Sequence, residues 1–194
     1  MRILGVDPGT RLTGVGIIET AGTQYQLLHY ETVSIPQKLP IAQRLLRIHQ
    51  ALRSLIERYR PQVLAIENVF YGKDVQALVR IGEARSCAMI AASELGVDVV
   101  EYPPARIKQA VSGNGQASKE QVQHMIKTLL NLKSLPPSDS ADALAVAICH
   151  FHAAKSRSLT EKLFLKPAPK KTPRGETKAK KDPTAPSKVL TTGS

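Results

Sequence analysis

Short apolar runs open the chain, and turn residues separate them. The first three runs cover residues 3–6, 13–20 and 24–35, and each has the length and composition typical of a β-strand. Connections this short favour antiparallel pairing of neighbouring strands. The sequence therefore predicts an antiparallel meander at the N-terminus.

The pattern then changes to a helical one. From Leu39 to Tyr59 apolar residues recur three or four positions apart, with Pro40 near the start and Pro61 after the end. Residues 63–69 return to an apolar run, which predicts a buried strand. A strand, a helix and a strand in succession favour a right-handed crossover, so we expect this strand to lie parallel to an earlier one.

The second half of the chain is predicted to be mainly helical. Residues 75–95 form a helix with many small side chains, which indicates either a dimer interface or close packing on its own sheet. A fifth strand is predicted over 97–102, and further helices over 105–111, 118–132 and 138 to about 154. Strands interleaved with helices in this way are typical of an α/β domain.

Four carboxylates lie at the ends of these elements. Asp7 and Glu67 each close an apolar run, and Asp139 and Asp142 stand three residues apart in the first turn of the last helix. If the strands that end at Asp7 and Glu67 are parallel neighbours, the two acids meet at one edge of the sheet. Burying several acids together is costly unless a cation compensates them, so the pattern predicts a metal site.

Each acid also has a simpler explanation. Acids in a first helical turn complement the helix dipole, which contributes ~0.3–1 kcal/mol. Asp7 begins a DPGT segment that reads as a turn, and Glu67 could be a salt-bridge partner. What favours a site is the joint arrangement, because three separate explanations would have to bring four acids to compatible element ends.

Most of the positive charge lies outside the predicted domain. The chain has 194 residues and a net charge of +11, of which residues 155–194 contribute +8. We expect one globular domain over 1–155 and a basic, proline-rich tail over 156–194, disordered from about Lys166. The tail would either bind phosphates without sequence preference or serve as a solubilising extension.

Other features indicate a cytoplasmic protein. Cys87 and Cys149 lie in apolar helical stretches, which is typical of buried thiols in a reducing compartment. The first apolar run is interrupted by Asp7, so it does not resemble a signal peptide. No run approaches the ~20 apolar residues of a membrane span, and no membrane partner is expected.

Four motifs together resemble the RuvC family of Holliday junction resolvases. They are LGVDPGTRLTGVG, AIENVF, GQASKEQVQHMIKTLLNL and SADALAVAICH, in that order, and the resemblance covers residues 1 to about 155. It implies a ribonuclease H-like fold, with a five-stranded mixed sheet flanked by helices, in a homodimer. It also implies paired, symmetrical nicks in two opposed strands of a four-way DNA junction, and it suggests coupling to a branch-migration complex of the RuvA and RuvB type.

The resemblance assigns metal ligands as well. It implies that Asp7, Glu67, Asp139 and Asp142 are the catalytic and metal-binding acids, and the chemistry of a two-cation site favours Asp7 as the bridging ligand. Some relatives have a histidine in place of Asp139, whereas the carboxylate here favours a hard cation. Two Mg²⁺ ions per site are expected, and Mn²⁺ could substitute. Asn68 stands where a glutamine is expected, and this changes no assignment.

Three residues are carried over as DNA contacts. Phe70 matches an aromatic residue that stacks at the junction centre, although an aromatic residue just after a strand also fits a core position. Lys108 and Lys119 match basic residues near the scissile phosphate. Lys119 would in addition be catalytic, by stabilising transition-state charge, and for Lys108 plain phosphate anchoring fits equally well.

Two other functions are compatible with parts of the sequence. DPGTRLTG shares the strand, Asp, Gly and Thr pattern of actin and sugar-kinase-type phosphotransferases. Those proteins need a second half-domain with another phosphate loop, for which this chain leaves no room. A junction-binding scaffold, in which the acids only organise structure, would bind DNA without any metal-dependent nicking.

Overall fold

A computed structural model of the chain describes residues 1–68 and 74–164. Its strands are β1 (Arg2–Asp7), β2 (Leu12–Ala21), β3 (Gln24–Ser34), β4 (Val63–Glu67) and β5 (Asp98–Tyr102). Its helices are α1 (Ile41–Tyr59), α2 (Val75–Glu94), α3 (Pro104–Ser112), α4 (Lys119–Leu129) and α5 (Ser138–Phe164). The predicted succession of strands and helices is confirmed.

The strands form one mixed sheet in the order β3-β2-β1-β4-β5. Antiparallel pairing joins β1 to β2 and β2 to β3, as the short connections predict. β4 lies parallel to β1 on one side and to β5 on the other. The register places Val6 opposite Ile66, so the residues that follow them, Asp7 and Glu67, lie side by side at the ends of the two strands.

Helices cover both faces of this sheet, and each face has its own buried cluster. On β1, Ile3 packs into a cluster with residues of α3, α4 and α5, whereas Leu4 and Val6 pack with residues of α1 and α2. Burial on both faces explains why β1 and β4 read as continuous apolar runs. Four small residues of α2, Ala84, Ala88, Ala91 and Ala92, are buried in the second cluster, which supports packing of that side of the helix within the subunit.

α5 lies directly on β1 and β2, because three sheet positions beneath it lack side chains. They are Gly5, Gly14 and Gly16. A Cβ on Gly14 would overlap the backbone carbonyl of Asp139, and a Cβ on Gly16 would overlap the side chain of Leu144. Gly14 is also the register partner of Asp7. The glycines therefore set the distance between α5 and the end of β1.

Several boundaries differ from the sequence prediction, and the helix predicted over 118–132 covers Lys119–Leu129. α5 does not end near Ala154 but continues to Phe164, because no glycine or proline interrupts residues 155–164 and the next proline is Pro167. The strand predicted over 63–69 ends at Glu67, and Val69 lies outside the described residues. Both cysteines are buried and free. None of the helices described in 1–68 and 74–164 could cross a membrane.

We expect Gly14→Ala to lower the free energy of unfolding by ~1–3 kcal/mol, the usual cost of overpacking a close contact. Urea unfolding would measure this loss. Gly115→Ala is the milder comparison, because its Cβ would lie 3.2 Å from the carbonyl oxygen of Ala105, a contact that a shift of a few tenths of an ångström relieves, so it should lower stability less than Gly14→Ala. Equal losses in the two variants would contradict the tight contact between α5 and the sheet.

Candidate active site

Three elements bring the four acids to one edge of the sheet. Asp7 ends β1, Glu67 ends the adjacent parallel strand β4, and Asp139 and Asp142 lie one turn apart in α5. α5 meets the sheet at Gly14, where the backbone of Asp139 faces the partner of Asp7. The convergence predicted for the four acids is therefore what the fold produces.

Asp7 is the acid most affected by its surroundings. Burial raises the pKa of its carboxyl group, and the neighbouring charges of Asp142, Glu67 and Asp139 raise it further, to about 7, although Lys119 opposes them. The charges of all three other acids therefore raise the pKa of Asp7. That central position agrees with a carboxylate shared between two cations.

The carboxyl groups of Glu67 and Asp142 also have raised pKa values. Burial is the largest cause that raises the pKa of each carboxyl group, and the charge of Asp142 adds to the effect on Glu67. Lys108 and Lys119 act in the opposite direction on both pKa values. The site is thus a cluster of repelling negative charges with two lysines at its side.

Lys119 is the cation in direct contact with the acids. Its Nζ lies 2.8 Å from Oδ2 of Asp142. Burial would lower the pKa of this ammonium group, but the hydrogen bond and charge of Asp142, with the charges of Asp7 and Asp139, raise it overall. Lys119 is the first residue of α4, after a Ser118 cap that makes a reciprocal capping box with Gln121. The cap fixes the point from which the lysine extends.

Lys108 reaches the same place from α3. It lines a cleft of about 190 Å³ together with Glu67, Lys119 and Asp142. Apolar residues of α3, α4 and α5 form the rest of the wall, including Ile107 and Val122. The cleft thus combines acids and two lysines, which suits a phosphate group and its metal ions.

The four carboxylates are suitable ligands for divalent metal ions, although their side chains do not surround a single ion position. Within 1–68 and 74–164, no three His, Cys, Asp or Glu side chains stand close enough to hold a single ion. In that same part of the chain, the carboxylates of Asp7, Glu67 and Asp139 accept no hydrogen bond, so their oxygens are available as ligands. Oxygen donors alone are the set that Mg²⁺ and Mn²⁺ prefer.

The predicted stacking residue Phe70 lies outside the described residues. Asn68, just before that segment, donates its backbone N–H to the carbonyl of Tyr102 at 2.8 Å, which continues the pairing of β4 with β5.

Sequence reasoning missed two arginines that bind the main chain at this edge. Arg44 of α1 donates from Nε to the carbonyl of Thr10 at 2.9 Å and donates to it again from Nη2. Arg85 of α2 donates from Nη1 to the carbonyl of Glu67 at 2.9 Å. For Arg85 the sequence offered one signal, which was a charged residue within a helix of small residues. In the structure its side chain is only 12% exposed.

Comparison with known proteins identifies the family. Residues 3–150 match the family described as crossover junction endodeoxyribonuclease RuvC. The chain belongs to this family. Proteins of that name from Dehalococcoides mccartyi and Desulforamulus reducens are 48% and 45% identical to it over 151 residues. These residues are 77% of this chain, and 92% and 93% of the two relatives.

Solved structures support the RuvC assignment. RuvC of Thermus thermophilus is 37% identical, with a TM-score of 0.73, over 80% of this chain and 97% of that one. The same protein in complex with a Holliday junction substrate matches with a TM-score of 0.75, over 80% and 96% of the two chains. The predicted ribonuclease H-like fold is confirmed, and the family is one of metal-dependent nucleases.

The raised pKa of Asp7 gives a pH prediction for the metal-free protein. Because the folded state holds the proton more tightly than the unfolded chain, whose value is near 3.8, the contribution of Asp7 to stability should be greatest below pH 4 and be lost as pH rises to about 7. Asp7→Asn should remove this loss, of which ~3 kcal/mol falls between pH 5 and pH 8 at ~1.4 kcal/mol per pKa unit. Urea unfolding in EDTA at pH 5 and pH 8 would measure it, and equal pH dependence in both proteins would contradict the buried charge cluster.

Proposed function

We propose that this protein is a Mg²⁺-dependent crossover junction endodeoxyribonuclease that resolves Holliday junctions by paired, symmetrical nicks in two opposed strands. The convergence of four carboxylates beside Lys119, in a chain of the RuvC family, carries the proposal. Resolution of this kind serves DNA recombination and repair. We assign the activity to residues 1–155 and treat 156–194 as an accessory basic tail.

The proposed metal ligands are Asp7, Glu67, Asp139 and Asp142. Asp7 is the bridging ligand, because the other three charges all raise its pKa. A pair of Mg²⁺ ions, or Mn²⁺ in their place, would supply a nucleophilic water near neutral pH and stabilise the leaving 3′ oxygen. Binding of cations would also relieve the mutual repulsion of the acids.

The chain's own part in the reaction is to hold the phosphate and the acids in line. Asp7 and Glu67 are fixed by parallel strands, and Asp139 and Asp142 by a helix that rests on the sheet. Lys119 is the catalytic lysine of the proposal. Its ammonium group stays protonated beside Asp142 and can stabilise charge that develops on the phosphate.

Lys108 is proposed as a phosphate anchor in the same cleft. It lines the cavity that contains Glu67 and Lys119, and it needs no contact with the reacting atoms for this role. Phe70 is proposed to stack on an unpaired base, which is worth ~1–3 kcal/mol for aromatic residues. For Phe70 the support is its match to the family motif and its position three residues after Glu67.

A homodimer is proposed from the outer face of α2. Val75, Val79 and Ile90 are 68%, 54% and 52% exposed, and their spacing puts them on one side of the helix, in line with Gly82 and Ser86. The opposite side of α2 is buried within the subunit. An apolar face of this kind favours a partner surface, and a two-fold dimer matches a substrate with two strands to cut.

Two further expectations are kept as proposals. A DNA substrate and two free buried thiols support a cytoplasmic location. Coupling to a branch-migration complex of the RuvA and RuvB type rests on the family alone.

A labelled synthetic four-way junction provides the main test. With Mg²⁺, the protein should make symmetrical nicks in two opposed strands, and EDTA should stop them. Asp7→Asn should reduce the rate at least ~10³-fold, because the bridging carboxylate acts in the transition state, and should still bind the junction in a gel-shift assay.

The alternatives give different results in the same experiment. A scaffold would bind the junction without nicking it, and a phosphotransferase would hydrolyse ATP without DNA. Nicking of the junction by purified Asp7→Asn would contradict the assignment of the site residues. Cutting of linear duplex at an equal rate would reduce the protein to a general nuclease.

The dimer has its own test. Ile90→Glu should weaken the dimer at least ~100-fold, because an unpaired charge in an apolar contact costs ~3 kcal/mol or more. Light scattering would show a monomer, and cuts on the two strands would become independent of each other. Leu46→Glu is the control, because Leu46 is 55% exposed on α1. A monomeric native protein at working concentration would contradict the proposal.

A further inference from the structure

Three arginines in the described residues bind a backbone carbonyl from a distant element. Arg44 binds the carbonyl of Thr10, Arg85 binds that of Glu67, and Arg2 binds that of Tyr59. The first two carbonyls lie at the edge of the sheet that carries the acids. Arg2, at the start of β1, lies at the opposite edge. The chain therefore contains two such contacts at the site and a matching one away from it.

Arg85 holds the end of β4. Pairing of β4 with β1 stops at Ile66, so the backbone of Glu67 is held on the sheet by β5 alone. Nη1 of Arg85 donates to the carbonyl of Glu67 at 2.9 Å, and Nη2 pairs with Oε2 of Glu101 on β5 at 2.7 Å. One guanidinium group thus joins α2 and β5 to the residue that carries a proposed ligand.

Arg44 holds the turn that follows Asp7. The carbonyl of Thr10 accepts two N–H groups of Arg44, and the side chain of Thr10 is buried. The turn is closed further by the Thr13 hydroxyl group, which donates to the carbonyl of Gly9 at 2.8 Å. The direction in which the chain leaves Asp7 is therefore fixed from α1.

The two arginines start from one packed layer. α1 and α2 contribute to the same buried cluster, in which Ile48 and Leu52 of α1 meet Ala88 and Ala92 of α2. Close-packed layers of this kind have low compressibility, so a displacement of one helix is transmitted to the other. The distance between the two strand ends is therefore tied to the packing of α1 on α2.

We propose that Arg44 and Arg85 are positioning residues that set the separation of the Asp7 and Glu67 carboxylates for metal binding. The inference rests on the proposed function, since it concerns the same site. The contact of each arginine is with the main chain and not with a carboxylate of the site, and Glu101 neutralises Arg85. Their effect is geometric, and groups that orient metal ligands typically change metal affinity or activity 10–100-fold when removed.

The test compares Arg44→Ala and Arg85→Ala with Arg2→Ala. Arg2 is the matched control, because its guanidinium group also joins a carbonyl, at 2.9 Å, to a carboxylate, Glu19, at 3.0 Å. Two quantities are measured for each protein: the Mg²⁺ concentration that gives half-maximal single-turnover nicking, and the rise in Tm that added Mg²⁺ produces without DNA. Junction affinity in EDTA is measured alongside.

We expect each variant at the site to raise the half-maximal Mg²⁺ concentration ~10–100-fold and to reduce the Mg²⁺-dependent rise in Tm. Junction affinity in EDTA should change less than ~3-fold, because the DNA contacts proposed above are untouched. Arg2→Ala should lower Tm without moving the Mg²⁺ dependence. A residue with only a structural role would behave like Arg2.

If the variants at the site match Arg2→Ala in Mg²⁺ dependence, the inference is overturned while the proposed function stands. If the native protein fails to nick a junction, the proposed function fails instead. Should Arg85→Ala not fold, Arg85→Lys and Glu101→Gln replace it, since lysine cannot reproduce the two-point contact and Glu101 is 40% exposed. An unchanged Mg²⁺ dependence in both would equally overturn the inference.

Discussion

The site depends on the direct contact between α5 and the glycine face of β1 and β2. Two of the four acids come from strands and two from α5, so no site exists unless the helix approaches the sheet closely. Gly14 permits that approach at the position paired with Asp7, where any Cβ would overlap the backbone of Asp139. A single backbone contact thus connects the packing of the core with the spacing of the acids.

The same contact creates an electrostatic cost for the fold. Bringing Asp139 and Asp142 towards Asp7 raises the pKa of Asp7 to about 7 by burial and mutual repulsion. Only part of this is relieved by the ion pair of Lys119 with Asp142. The buried clusters on both faces of the sheet must therefore stabilise an arrangement that is unfavourable without cations, as is common where a fold supports a reactive site.

The sequence was sufficient for the strands and for the meeting of Asp7 with Glu67, because hydrophobic period and connection length determine pairing and direction. It was not sufficient for the end of α5, where no breaking residue marks a boundary. Nor did it identify the roles of Arg44 and Arg85, since their acceptors are backbone carbonyls, which leave no pattern in the side chains. Gly14 likewise reads as an ordinary strand residue until the position of α5 is known.

The site is consequently held from both faces of the sheet. On one face, α5 determines how far Asp139 and Asp142 lie from the sheet. On the other face, Arg44 binds the carbonyl of Thr10 in the turn after Asp7, and Arg85 binds the carbonyl of Glu67. On both faces, the contacts that fix the acids are made with the main chain. The carboxylate oxygens of Asp7 and Glu67 are thereby left without hydrogen-bond partners in the described residues. Geometry fixed through the backbone orients Asp7 and Glu67 while their oxygens stay free to bind cations, so neither carboxylate needs a hydrogen bond of its own to hold it in place.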